Sequence, residues 1–168
     1  MDKVMQGQMT DQVNIGITQE NRSKVAELLT HLLADEHILY IKLRNYHWNI
    51  EGMFFQSLHE FFADQYDDLE DVIDDIAERV RTLGFYAPGA MDDFKSLARL
   101  SETGHLNGNG EQMLRNILAD HEMIIQILRG NVNDTMDKYK DAGTADFLTA
   151  LMEKHEKMAW MVRSHLNG

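Results

Sequence analysis

Apolar residues recur along most of the chain at steps of three and four, which places them on one face of an α-helix. The pattern starts near Asn21 and predicts a first helix that runs to about Ile50 and stops at Gly52. The apolar stripe of this helix is formed by Val25, Leu28, Leu29, Leu32, Leu33, Leu39, Tyr40, Leu43 and Tyr46. Residues 1–20 are polar and lack this periodicity, so we predict that they form a mobile tail.

A second helix is predicted with Ser57 as its N-cap, because Glu60 stands three residues later, as in a capping box. Its predicted C-terminal stop is Gly84. The apolar stripe is formed by Leu58, Phe61, Phe62, Leu69, Val72, Ile73, Ile76, Val80 and Leu83. After a Pro-Gly break, residues 91–100 are predicted to form a short extra helix.

Two further amphipathic helices are predicted on either side of Gly143, with Thr144 as the N-cap of the last one. The third helix carries Met113, Leu114, Ile117, Leu118, Ile124, Ile125, Leu128, Val132 and Met136. The fourth carries Phe147, Leu148, Leu151, Met152, Met158, Met161 and Val162. Four long helices and one short helix predict an all-α four-helix bundle over residues 21–168, with the extra helix between the second and third long ones.

Composition and charge narrow the class of protein. A length of 168 residues suits one domain with a sizeable core, and the absence of cysteine excludes a disulfide scaffold, a thiolate metal site and a cysteine nucleophile. The chain has 16 Lys and Arg against 28 Asp and Glu, a net charge of −12, which argues against a surface that coats nucleic acid. No apolar run has the length of a signal peptide or a membrane span, so a cytoplasmic location is expected.

Histidines are the first candidates for metal ligands, and the chain has eight of them. A ferritin-like di-iron site inside one bundle uses Glu-x-x-His on two helices. The only such motif here runs from Glu102 to His105 in a predicted loop, so a metal site within a single bundle is not expected. His121 lies on or beside an apolar stripe and is expected to be a hydrogen-bonded core residue. A surface or rim position is expected for His31, His37, His155 and His165.

A second set of candidate ligands lies on the first two helices. His47 ends the first helix and His59 opens the second, while Asp74 and Glu78 share a face of the second helix. Imidazole nitrogen with carboxylate oxygen suits iron, manganese or zinc. His59 and Asp74 are 15 residues apart, roughly 22 Å along a helix, so they cannot bind one ion within one chain.

Two interpretations of this set stay open on spacing alone. A second copy related by a two-fold axis would place His59 of one chain opposite Asp74 and Glu78 of the other, and it would create two equivalent sites. Alternatively, Asp74 and Glu78 belong to a solvated acidic face, since residues 67–78 are crowded with acids. Spacing alone favours the solvated face.

Three segments of the chain resemble the Dps family, small ferritin-like proteins first named as DNA-binding proteins of starved cells. The segments are residues 47–52, 58–60 and 74–79, and their intervals match the family: 12 from His47 to His59, 15 to Asp74 and 4 to Glu78. Residues 143–160 and the short extra helix are also similar, so the resemblance covers residues 21–166. This resemblance favours the inter-subunit site over the solvated acidic face for Asp74 and Glu78.

The resemblance implies that the all-α bundle is a ferritin-like four-helix bundle. It also implies a hollow shell of twelve subunits with a ferroxidase centre between two-fold-related subunits. His47 and His59 would come from one subunit, and Asp74 and Glu78 from the other. The family oxidises Fe(II), commonly with hydrogen peroxide and also with dioxygen, and stores ferric oxide inside the shell. Zinc is a possible substitute at such ligands.

Two residues beside these ligands have roles by resemblance. Glu60 would face the cavity and help to nucleate mineral. Trp48, next to His47, would supply an electron when iron does not meet the second oxidising equivalent of the oxidant. Packing at the two-fold interface is the equally weighted alternative.

Further acids, and one departure from the family pattern, complete the candidate sites. By resemblance, Asp146 and Asp137 line a three-fold pore for Fe(II). The alternative is that each is an exposed acid near a helix N-terminus, where its charge interacts favourably with the helix dipole.

Several family members have an acid where this chain has Ala63, and Asp64 is turned about 100° around the helix. The second metal position is therefore expected to be weaker, and one iron per resting site is possible.

DNA binding is predicted to be weak or absent. The family's DNA binders carry several lysines in a terminal tail, whereas this chain has only Lys3 before Arg22 and Lys24. Two alternatives to an iron-storage ferroxidase remain: a DNA-binding nucleoid-protection protein of the same fold with little ferroxidase activity, and a non-catalytic helical oligomer.

Overall fold

The computed structural model describes residues 13–102, 104 and 106–166. Five α-helices follow one another along this part of the chain: α1 Gln19–Asn49, α2 Phe55–Thr82, α3 Met91–Leu97, α4 Gly110–Asn133 and α5 Ala142–Leu166. A single π-helical turn, Asp134–Lys138, continues α4. The predicted bundle of four long helices and one short one is confirmed. The predicted tail lies mostly in residues 1–12, outside the described residues.

The long helices pack in two pairs, α1 with α2 and α4 with α5, and α3 lies against α1. The predicted apolar stripes meet between the pairs and form the core, which includes Leu29, Leu33, Leu43, Phe62, Ile76, Ile117, Leu128, Leu148 and Val162. Two predicted stripe residues, Met136 and Met161, are exposed instead. Met136 falls in the π-helical turn, where the period changes and the side chain leaves the apolar face.

The start of α2 differs from the prediction. The helix begins at Phe55, whose N–H donates to the carbonyl of Gly52 at 3.1 Å. Ser57 lies inside the first turn, and its hydroxyl donates to the carbonyl of Phe54 at 3.1 Å. Ser57 is therefore not the N-cap, because the turn at Gly52, with φ of 103°, has already directed the chain into the helix.

The start of α5 also differs from the prediction. Thr144 lies inside the helix, and Asp141 caps it by accepting hydrogen bonds from the Thr144 N–H at 2.9 Å and the Thr144 hydroxyl at 2.5 Å. The Arg79 guanidinium binds the same Asp141 carboxylate at 3.1 Å. The prediction of Thr144 as N-cap is wrong because an aspartate three residues earlier takes that place.

The end of α2 agrees with the prediction. The helix stops at Thr82, and Gly84 follows with φ of 93°, a conformation that side chains rarely adopt. A Cβ at this position would lie 2.8 Å from Val13 Cγ2 and 2.9 Å from Arg22 Nη1. Both the backbone angle and the close approach therefore require glycine.

The connection that carries α3 is held to α1 by a buried carboxylate. Asp35 is fully buried and accepts hydrogen bonds from the Arg99 N–H at 2.5 Å, the Leu100 N–H at 3.0 Å and Arg99 Nε at 2.8 Å. Phe94 and Leu100 are also buried, although α3 ends at Leu97 and not at residue 100 as predicted. None of the helices in the described ranges combines the length and the hydropathy that crossing a membrane would need.

Candidate metal centre

The end of α1 and the start of α2 bring two histidine rings face to face. The rings of His47 and His59 are stacked with centroids 3.7 Å apart and planes 22° from parallel. His47 Nδ1 is 2.7 Å from the carbonyl oxygen of His59, and His59 Nδ1 is 2.7 Å from the carbonyl oxygen of His47. The two residues therefore hold each other through a pair of reciprocal hydrogen bonds.

These hydrogen bonds determine which nitrogen of each ring donates to the protein. A carbonyl oxygen only accepts, so Nδ1 of His47 and of His59 must carry the hydrogen. In the neutral imidazole the lone pair is then on Nε2, the atom that is left to bind a metal ion. Both side chains are half-buried, so each ring is held rigidly yet reaches the surface.

The two acids of the predicted site lie on the exposed face of α2. Asp74 and Glu78 are both exposed and four residues apart on one helix. Within the described part of the chain, no three His, Asp or Glu side chains lie close enough to hold one ion. One chain therefore presents the two histidines as one pair and the two acids as another.

Trp48 and Arg44 flank the histidine pair. Trp48 is 64% exposed, and the Arg44 guanidinium carbon lies 5.3 Å from the centre of its ring. The same guanidinium lies 4.9 Å above the ring of Tyr66, which meets His47 edge-on at 5.4 Å. A large, exposed indole therefore stands next to the half-buried histidine pair.

The remaining predicted acids are all accessible. Glu60 is exposed and its carboxylate accepts a hydrogen bond from the Gln56 amide. Asp64 is exposed beside the half-buried Ala63. Asp137 lies exposed in the π-helical turn, and Asp146 is exposed near the start of α5.

One histidine prediction is wrong. His155 was expected at the surface or rim, but it is fully buried and faces His121, with the two Nδ1 atoms 3.0 Å apart. The expectation that His121 is a hydrogen-bonded core residue is confirmed. A signal for His155 was present in the sequence, because it stands four residues after Leu151 and three before Met158, within the apolar stripe of α5.

The other histidines lie closer to where they were expected. His31 and His37 are half-buried at the rim, where His37 stacks on Phe94 at 3.7 Å, and His165 is exposed. Burial lowers the pKa of His37, against the opposing effects of its hydrogen bond to Leu33 and of the Glu36 charge. His105 lies outside the described residues.

Comparisons with known proteins agree with this architecture. The family model of the ferritin-like domain matches residues 26–168. An uncharacterized low temperature-induced protein of Nostoc sp. is 46% identical over 156 residues, which are 93% of this chain and 87% of that protein. DNA protection during starvation protein 2 of Bacillus anthracis is 32% identical over 144 residues, with 86% and 97% of the two chains covered.

A solved structure supports the same assignment. The Dps protein of Vibrio cholerae O1, described as a member of a broad superfamily of ferritin-like diiron-carboxylate proteins, superposes with a TM-score of 0.86. The sequences are 27% identical, and the match covers 92% of this chain and 96% of that one. The fold and the family model together define a ferritin-like protein.

Within that class, the chain belongs to the Dps family. Membership implies iron binding and supports a role in iron storage or DNA protection.

Proposed function

We propose that the chain is a Dps-type mini-ferritin that oxidises Fe(II) and stores the ferric product. In this proposal twelve subunits form a hollow shell, and each ferroxidase centre lies between two subunits related by a two-fold axis. His47 and His59 of one subunit and Asp74 and Glu78 of the other bind the Fe(II) substrate.

The observation that carries the proposal is the reciprocal hydrogen bonding of His47 and His59. It holds both Nδ1 hydrogens within the protein and leaves both Nε2 lone pairs free, which is how metal-binding histidines are oriented. A stacked pair with a packing role alone would have no need for both rings to have the same tautomer. The exposed Asp74 and Glu78 supply the negative charge that two neutral imidazoles lack.

The proposed reaction uses hydrogen peroxide as oxidant. Two Fe(II) ions lose one electron each, the O–O bond breaks, and the two oxygen atoms take up two protons and leave as two water molecules. Dioxygen is the second oxidant in this proposal. Because both Fe(II) and peroxide are consumed, the reaction limits the formation of hydroxyl radicals.

The residues around the centre have supporting roles in the proposal. Asp146 and Asp137 attract Fe(II) to a pore at the three-fold axis, and Glu60 binds ferric product on the cavity side. Trp48 either supplies an electron to a centre that holds a single iron or packs at the two-fold interface. With Ala63 in place of an acid, the second iron position is the weaker one.

The test is iron oxidation by the assembled protein and by a His59→Ala/Asp74→Ala variant. Fe(II) is added without oxygen, peroxide follows, and ferric absorbance is recorded in the near ultraviolet. We expect the initial rate to fall at least tenfold in the variant, because each centre loses a ligand from both subunits. Asp75→Ala is the matched control, since it removes an exposed acid that is one residue away and turned to another side of α2.

Two results would contradict the assignment of the ferroxidase centre. If the double variant oxidises and stores iron as fast as the parent, the centre lies elsewhere. A control variant as slow as the double variant would show that loss of negative charge alone explains the effect.

A further inference from the structure

One guanidinium lies among three aromatic rings beside the histidine pair. The central carbon of the Arg44 guanidinium is 4.9 Å from the centre of the Tyr66 ring, 5.3 Å from that of Trp48 and 5.6 Å from that of Tyr40. At such distances a cation is attracted to the face of an aromatic ring. Tyr66 also meets His47 edge-on at 5.4 Å, so the cluster adjoins the proposed ferroxidase centre.

A hydrogen bond within α1 holds the guanidinium in this position. Arg44 Nη1 donates to the hydroxyl oxygen of Tyr40 at 2.8 Å. This hydrogen bond raises the pKa of Arg44, to which the charge of Glu70 adds only a smaller effect. Within the described ranges, no carboxylate forms a direct ion pair with Arg44. The rings therefore stand beside a positive charge that is not neutralised by an acid of the same described ranges.

The charge of Arg44 opposes the oxidation of Trp48. A reduced indole attracts a cation to its electron-rich face. When one electron leaves the ring, the indole becomes a radical cation, and the attraction is replaced by repulsion between two positive charges 5.3 Å apart. Both changes make the oxidised ring less favourable relative to the reduced ring, so Trp48 is a poorer electron donor than an indole without this neighbour.

The other tryptophan of the chain provides an internal reference. Trp48 and Trp160 are its two tryptophans, and they are 64% and 61% exposed. Of these two, only Trp48 has a cationic side chain over its ring among the residues that the structure describes. The two indoles therefore differ in their neighbouring charge and hardly in their exposure.

We propose that Arg44 is a specificity-determining residue of the ferroxidase reaction, because it keeps Trp48 reduced so that peroxide takes both of its oxidising equivalents from iron. This inference rests on the proposed function. It favours the packing role for Trp48 over the role of electron donor.

The reaction that Arg44 disfavours takes place at a centre with a single Fe(II). Iron loses one electron, and Trp48 loses one electron and its indole N–H proton. The O–O bond of hydrogen peroxide breaks, and its oxygen atoms take up both electrons, that proton and one proton from solvent to leave as two water molecules. The product is one Fe(III) and one neutral indole radical, which damages the protein.

The first test oxidises the iron-free assembled protein with photogenerated Ru(III) tris-bipyridine, which removes one electron at a time. High salt screens the charge of the approaching complex. Mass spectrometry of peptides gives the ratio of oxidised Trp48 to oxidised Trp160. Because water also screens an exposed indole, we expect Arg44→Gln, which keeps a donor for the Tyr40 hydroxyl, to raise this ratio by about threefold or more. Arg44→Lys, which keeps the charge, should leave the ratio near the parent value.

Arg81→Gln is the matched control, because the Arg81 guanidinium lies 4.3 Å from the centre of the Tyr86 ring and not over a tryptophan. It should leave the ratio unchanged. An unchanged ratio in Arg44→Gln, or an equal rise in Arg44→Lys or in Arg81→Gln, would overturn the proposal.

The second test adds one Fe(II) per centre and then peroxide. Arg44→Gln should form about three times as much oxidised Trp48 per Fe(III) as the parent, and equal yields would overturn the proposal. If the parent forms no Fe(III) with peroxide, the proposed ferroxidase function is wrong. The first test contains no iron, so it measures the effect of Arg44 on Trp48 in either case.

Discussion

The carboxylate of Asp35 is expected to be one of the largest single polar contributions to the stability of the subunit. It is fully buried and accepts two backbone N–H groups, from Arg99 and Leu100, and the Arg99 side chain. Asp35→Ala leaves both N–H groups without a partner, at about 1–3 kcal/mol each, and deletes the charged hydrogen bond to Arg99. Since Arg99 is partly exposed and can turn to water, we expect a total loss of about 4 kcal/mol.

Asp35→Asn separates the charge from the shape of the side chain. Its single amide oxygen still accepts the backbone N–H groups, but its NH2 group faces the Arg99 guanidinium, donor against donor. We expect a loss of about 2 kcal/mol. Asp92→Ala, which removes an exposed acid from the first turn of α3, should cost less than about 0.5 kcal/mol.

Urea unfolding followed by circular dichroism measures these differences. All variants must be compared at one protein concentration, because assembly would add to the apparent stability. The expected order of destabilisation is Asp35→Ala, then Asp35→Asn, then Asp92→Ala. If Asp35→Ala lies within about 0.5 kcal/mol of the parent, the buried carboxylate does not hold the connection to α1 as inferred.

Three other properties are predicted. Burial lowers the pKa of His121 below 6.5, so at this residue the unfolded chain binds more protons than the folded chain. The contribution of neutral His121 to the free energy of unfolding is therefore fully present above pH 6.5 and decreases as the pH drops toward 5. The slope from this group is at most about 1.4 kcal/mol per pH unit, and urea titrations should show a flatter profile for His121→Gln. Arg79→Ala should cost about 1–2 kcal/mol in the same assay, whereas Arg81→Ala, on an exposed residue of the same helix, should cost less. In a gel-shift assay at moderate salt without added metal, plasmid should not be retarded, and retardation would refute the prediction of weak or absent DNA binding. The structure supports this prediction, because Arg22 is buried and its Nη1 donates to the Leu83 carbonyl at 2.6 Å instead of facing solvent.

The periodicity of the chain was enough to predict the bundle. Apolar residues at steps of three and four define the face that each helix must bury, so the four long helices and the short one follow from local sequence. The helix starts were less predictable. Ser57 and Thr144 have good capping chemistry, yet Gly52 and Asp141 decide where the helices begin, because a cap depends on the direction of the incoming chain as well as on residue type.

The family motif likewise indicated which residues to consider as ligands, but it did not say how they are held. That His47 and His59 lock each other's tautomer depends on the turn that joins α1 to α2, which brings residues 12 positions apart into ring-to-ring contact. Asp74 and Glu78 lie apart from the histidine pair on the exposed face of α2. Sequence spacing by itself does not distinguish a solvated acid from half of an inter-subunit site.

Four buried polar side chains in the core show most clearly what the sequence determines and what tertiary packing determines. Glu36, Gln65, His121 and His155 each stand three or four residues from buried apolar neighbours, so their sequence positions already placed them on the inward faces. Helical periodicity gives the face of one helix but not the height at which it meets the others. Packing of the helix pairs brought the four side chains to one level, and this placement made a buried carboxylate and an imidazole neighbours.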